Sequence, residues 1–190
     1  MTNRAGELLV KRLELARELV PGAKRVAVVA LGLGPTSLYE NVSGPMREAA
    51  AKLGVEIVQE GAGARGGWIA AIEAALKAGA SAILQFHVFA LMPVAGSDIV
   101  KFADEKRVPV IWIDADAVEA GGLVSYGTNL ADDVRRGADM VARVLKGAKP
   151  AALPVDQAAR FELAVNLRAA KAQGLTIPQS ILVRADRVIE

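Results

Sequence analysis

The stretch KRVAVVALGLGPTSLYENVSGPMREAAAKLGVEIVQE, residues 24–60, decides the fold. Its opening, RVAVVAL (25–31), is short, apolar and valine-rich, the pattern of a strand buried on both faces. GLGPTS follows as a turn. A helix is expected from about Leu38 to Leu53, with Gly44-Pro45 as a break or restart inside it and Gly54 as its C-terminal stop. VEIVQE (55–60) then reads as a second strand. Strand, turn, helix and strand in this order are the repeating unit of a parallel sheet.

The unit recurs outward in both directions. Ahead of it, Leu8, Leu9, Leu13, Leu15, Leu19 and Val20 sit at helical spacing among Lys11, Arg12, Glu14, Arg17 and Glu18, and Pro21-Gly22 ends the helix. After it come the loop GAGARGG, the helix WIAAIEAALKAGA and a third strand, SAILQFHV (81–88). A helix from Gly96 or Ser97 to Arg107 follows, with Ser97 and Asp98 able to cap its free N–H groups. VPVIWID (108–114) is a fourth strand and LVSYG (123–127) a shorter fifth. A helix from Leu130 to Lys146 is entered through Asn129 and stopped by Gly147. A strand near Leu163 and one or two short helices, the last opened by Pro178, finish the chain. The fold class is α/β: a Rossmann-like or flavodoxin-like parallel sheet with helices on both faces and right-handed crossovers. The region from Lys146 to Ala159, with Pro150 and Pro154, is the one linker or crossover.

Composition narrows the function. Aromatics are 4% and no basic stripe interleaves with them, so the net charge of +2 gives no argument for nucleic acid. With no cysteine, disulfides, thiol chemistry and Cys-based zinc sites are excluded. The opening MTNRAGELLVKRLELARELVPG lacks the apolar core and cleavage site of a signal peptide, so the polypeptide as given is expected to stay where it is made. Its longest apolar runs are too short to span a bilayer.

In such sheets ligands bind beyond the carboxyl ends of the strands. Gly32 and Gly34 after the first strand, with Glu60 ending the second, suggest the start of a dinucleotide fingerprint. Ser37 occupies the place of the third glycine, however, and Pro35 removes a backbone N–H, so a small-solute loop using the Thr36 and Ser37 hydroxyls is favoured. His87, the single histidine, sits between Phe86 and Phe89 and reads as a packing or hydrogen-bonding group rather than a base. Asp114 and Asp116 read as turn formers and helix caps, with no third ligand for a metal. Trp112 is expected in the core. Trp68, at a helix start, is a pocket wall or a packing staple. Tyr126 suits a ligand contact and an interface equally.

The segment FELAVNLRAAKAQGLTIP (161–178), with VEAGGLVSYGTNLADDVRRGADMVARVLKGAKPAALPVDQ (118–157) and KRLELARELVPGAKRVAVV (11–29), resembles ABC transporter substrate-binding proteins of the type I periplasmic fold, tryptophan/tyrosine-type. The likeness runs from about Leu8 onward and covers the second lobe and C-terminal tail. It implies an N-terminal helix (1–22), a ligand-binding lobe (23–129) and a hinge-crossing helix with tail (130–190). It implies a receptor for an amino acid or similar small solute, delivered to an ABC permease in the periplasm, with no catalysis and no cofactor. Thr36, Ser37, Phe89, Asp114 and Tyr126 are the pocket candidates it assigns to this lobe. The family carries a first lobe and an export signal ahead of this part. Without that lobe, the helix from Leu130, with that from Leu8 as a second candidate, would expose apolar stripes, which predicts a homodimer through Val134, Met140, Val141, Val144 and Leu145. The alternatives are a Rossmann-like nucleotide-binding enzyme and a dimeric remnant that binds nothing.

Overall fold

A computed structural model of the chain describes residues 5–31, 38–62, 67–86, 93–154 and 160–190. The run Arg25–Leu31 forms β1, and Leu38–Leu53 forms α2 behind the N-terminal helix α1 (Ala5–Leu19). β2 (Glu56–Ala62), α3 (Trp68–Lys77), β3 (Ile83–Gln85), α4 (Pro93–Lys106) and β4 (Val110–Trp112) continue the alternation. After the short α5 (Ala115–Glu119) come β5 (Val124–Thr128), α6 (Leu130–Leu145), β6 (Phe161–Asn166), α7 (Leu167–Gln173), α8 (Gln179–Leu182) and β7 (Arg187–Ile189).

The strands lie in the order β2-β1-β3-β4-β5-β6-β7. The first five are parallel, in the flavodoxin-like order, one of the two that the sequence leaves open. β6 joins antiparallel to β5, with Thr128 opposite Phe161, and β7 runs parallel to β6. The sheet is therefore mixed at one side, which a wholly parallel expectation misses.

Alternation along each strand divides the apolar residues between two cores. Val26 and Val28 face one, with Leu84, Ile111 and Val124. Ala27 and Val29 face the other, with Ile83, Val110 and Trp112. Helix α1 seals the first core through Leu9, Leu13 and Ala16, spaced i, i+4, i+7 and each fully buried. Each such leucine stabilises the fold by roughly 1.5–3 kcal/mol. So α1 spends its apolar face on this sheet and has none left over for a missing lobe, correcting that part of the expectation. Ile72 of α3 and Ile99 of α4 fill the second core.

Other local expectations are adjusted too. Pro45 lies inside one continuous helix rather than at a restart, because Met46 and Ala50 anchor the following turn in the core. Helix α4 begins at Pro93, a residue suited to a first helical turn, so Ser97 and Asp98 sit one turn inside it rather than at its start. Arg12, read with the polar face of α1, is only 4% exposed. Trp112 is in the core as expected, and Trp68 is buried against the second core as a staple.

Helices α7 and α8 close the edge of the sheet where β6 ends. Gln173 donates to Asp104 of α4 at 2.8 Å, and Arg184 reaches Glu18 in the last turns of α1 at 2.5 Å. The carboxyl ends of β4 and β5 lie at the opposite edge, beside a cleft.

Candidate functional site

Ligand contacts were expected just beyond the carboxyl ends of the strands. Gly32, Gly34, Thr36 and Ser37 after β1, and His87 and Phe89 after β3, lie outside the described residues. The ends of β4 and β5 are described, and they form a cleft of about 620 Å3. One wall is the start of α5, with Asp114, Ala115 and Asp116. A second is the β5–α6 junction, from Thr128 through Asn129 to Val134 and Arg135. Glu162 of β6 and Arg187 of β7 complete it.

The two aspartates do cap a helix, as the sequence suggests. Asp114 is the N-cap of α5: its backbone is extended, and its carboxylate Oδ1 accepts the Ala117 N–H at 3.3 Å. The carboxylate is buried yet borders the cleft. Asp116 is exposed in the first turn of the same helix.

Asn129 organises the second wall. Its Oδ1 accepts the Asp132 N–H at 3.1 Å and caps α6, while its Nδ2 donates to Glu162 Oε2 at 3.1 Å. One side chain thus ties the helix start to β6. Arg135 pairs with Asp132 on the same helix. Arg187 pairs with Glu119 and, at 3.5 Å, with Glu162. The hydrogen bond to Glu119 raises the Arg187 pKa above its ordinary value, with Glu162 adding to it. Both signs of charge therefore stand around one cleft, with amide and hydroxyl groups between them. That arrangement suits a small zwitterion. Among the described residues no cluster of three His, Cys, Asp or Glu could hold a metal ion.

Tyr126 lies one strand turn below the cleft and is partly buried. Its ring packs on the first core and sits 6.2 Å from that of Phe161, centroid to centroid. Its backbone carbonyl has a role that sequence reading missed: it accepts the Nε–H of Arg12 at 2.6 Å. Arg12 crosses from α1 to the open edge and comes under the influence of Asp114. Burial lowers its pKa to about 10, and the nearby Asp114 opposes that shift, so the guanidinium is charged at neutral pH. A signal for it was present: Arg12 falls between Leu9, Leu13 and Ala16 on the apolar stripe of α1. Asn129 was read as the entry to α6, which it caps, but its meeting with Glu162 and Arg187 was beyond reach, because it depends on the antiparallel pairing of β6.

Helix α6 is amphipathic and buries none of its residues within the described chain. Val134, Val141, Val144 and Leu145 are exposed, Leu145 by 82%. No described helix is long and apolar enough to cross a membrane.

Three solved structures share this architecture. A conserved domain protein from Vibrio cholerae is 28% identical with a TM-score of 0.75, over 95% of this chain and 60% of its own. The ABC domain in complex with L-Trp from Streptococcus pneumoniae is 23% identical with a TM-score of 0.76, over 96% of this chain and 60% of its own. A ligand-free, open substrate binding protein with adhesive properties from Clostridium difficile is 23% identical with a TM-score of 0.64, over 94% and 59%. This chain thus spans about 60% of the length of the structures it matches. No curated protein matches it. The family model described as ABC transporter substrate binding protein covers residues 4–189, and the chain belongs to that family.

Proposed function

We propose that the chain is a solute-binding lobe of the tryptophan/tyrosine type, taking an amino acid and handing it to an ABC permease outside the cytoplasmic membrane. The observation that carries this reading is the cleft at the ends of β4 and β5, where Asp114, Asp116 and Glu162 stand with Arg135 and Arg187. An amino acid brings an ammonium for the acids and a carboxylate for the bases. The similar domain from Streptococcus pneumoniae is described in complex with L-Trp, which suggests an aromatic amino acid as the first solute to try. Thr36, Ser37, Phe89, Asp114 and Tyr126 are proposed as ligand contacts, with residues 1–22 as the entering helix, 23–129 as the α/β binding lobe and 130–190 as the hinge-crossing helix and tail. Binding without chemistry is what such a cleft is for.

The exposed stripe on α6 supports a second element of the reading, a homodimer. Leu130, Val134, Val141, Val144 and Leu145 recur along one face. Asp132 and Asp133 lie at the start of the helix, and Arg143 and Lys146 at its end. An antiparallel pair of α6 helices about a two-fold axis would bury both stripes and set the acidic start of each against the basic end of the other. The partner that best fits is therefore a second copy of this chain.

Isothermal titration calorimetry with L-tryptophan, L-tyrosine, tryptamine and indole-3-propionate tests the solute. Saturable binding of an amino acid, weakened when either its ammonium or its carboxylate is missing and weakened by Asp114→Ala, supports the reading. Equal heats for all four compounds, or none from any amino acid at millimolar concentration, would sink it.

A further inference from the structure

Three acids and two bases line the cleft: Asp114, Asp116 and Glu162 against Arg135 and Arg187. Each base also faces an acid outside the lining, Arg135 with Asp132 and Arg187 with Glu119. The excess charge is therefore negative, and an ammonium is the solute group that the cleft tells most sharply from a neutral one. The three acids are not equivalent. Asp114 is buried and commits Oδ1 to the cap of α5, so it can offer a solute at most its other oxygen. Asp116 is exposed, and among the described residues nothing holds its side chain. A carboxylate in water gains little from an ion pair.

Glu162 differs from both. Its side chain is only 15% exposed, yet it borders the cleft. Oε2 accepts the Asn129 Nδ2–H at 3.1 Å, and Oε1 lies 3.5 Å from Arg187 Nη1. Both partners are themselves held. Asn129 Oδ1 accepts the Asp132 N–H, which turns Nδ2 toward Glu162, and Arg187 is tied to α5 through Glu119. The cross-strand neighbour of Glu162 is Gly127, which has no side chain to cover it. A carboxylate accepts along about four lone-pair directions, so these contacts leave room for a solute donor. Glu162 is the acid that is at once fixed, shielded from water and at the cleft.

We propose that Glu162 is the specificity-determining residue of the cleft: held by Asn129 and Arg187, its carboxylate receives the ammonium of the solute and rejects the analogue that lacks one. The inference rests on the solute-binding reading and adds to it the acid that reads the amine. A largely desolvated charge left without its counterion is far more costly than an exposed one. A site built around Glu162 therefore disfavours a deaminated solute.

Glu162→Gln keeps the size of the side chain and an oxygen for Asn129 while removing the charge. Calorimetry compares wild type and Glu162→Gln for the amino acid that wild type binds and for its deaminated counterpart, L-tryptophan and indole-3-propionate being the first pair. The preference for the amino acid is expected to fall about tenfold or more in Glu162→Gln. An unchanged preference, with both affinities kept or both reduced alike, overturns the proposal, because a merely structural role would give that result. Should the variant not fold, wild type alone decides. On saturation with the amino acid, the Glu162 side-chain carboxyl carbon is expected to shift in the NMR spectrum, while that of Glu56, in β2 at the far edge of the sheet, stays. A Glu162 carbon that also stays overturns the proposal equally. Wild type that binds no amino acid overturns both readings; wild type that binds one, with an unchanged preference in Glu162→Gln, overturns this one alone.

Discussion

Gly127 passes so close to Ile113 that a Cβ built on it would lie 1.8 Å from the Ile113 carbonyl oxygen. The contact is between backbones at the ends of adjacent strands, so no side chain can move aside. Gly127→Ala is predicted to destabilise the fold by about 3 kcal/mol or more, since β5 would have to leave β4. Urea denaturation checks it. A midpoint unchanged from wild type would show that the strand ends have slack that this geometry denies.

The glycine illustrates what sequence could and could not convey. SYG reads readily as a strand end, and the five parallel strands follow from period, length and punctuation. The need for glycine at 127 does not, because it arises from a neighbouring strand that sequence places only in order. The same limit applies to the site. Asp114 is a helix cap in both readings, since an aspartate ahead of ADAVE carries its own local signal. Glu162 and Arg187 carry none: β7 is three residues long and mostly exposed, and β6 is placed by a reversal that no local pattern encodes.

Asn166 makes two bonds at the closed edge. Its Oδ1 accepts the Ala169 N–H at 3.1 Å and caps α7, and its Nδ2 donates to the Val118 carbonyl at 3.3 Å. Asn166→Ala is expected to cost about 1 kcal/mol, mainly from the lost cap, since the Val118 carbonyl keeps the Gly121 N–H at 3.1 Å. Asn166→Asp retains the cap and should fall between the two. Thermal melts of the three proteins decide the order.

Removing Arg12 should loosen the join between α1 and β5. Arg12→Met loses the 2.6 Å bond to the Tyr126 carbonyl and leaves that acceptor without this donor, a cost of about 1–3 kcal/mol that urea denaturation would read. A midpoint unchanged from wild type would place the anchoring of α1 in its leucines alone.

The α6 stripe predicts association. Sedimentation at micromolar concentration should find wild type dimeric, and Val141→Glu with Leu145→Glu monomeric. Their helical circular dichroism should match, since neither side chain is buried within the chain. A wild-type monomer at that concentration would refute the pairing.

Because Thr128 and Phe161 face each other across adjoining antiparallel strands, residues 129–160 begin and end at the same place. In topological terms β5 and β6 are the two legs of a hairpin, and the sheet requires only a two-residue turn between them. Everything beyond such a turn, α6 included, is an insertion whose length the strand register does not fix. The body of the lobe and the helix that leaves it can therefore diverge at different rates, the first held by its own packing and the second tied to it at its start, where Asn129 meets Glu162.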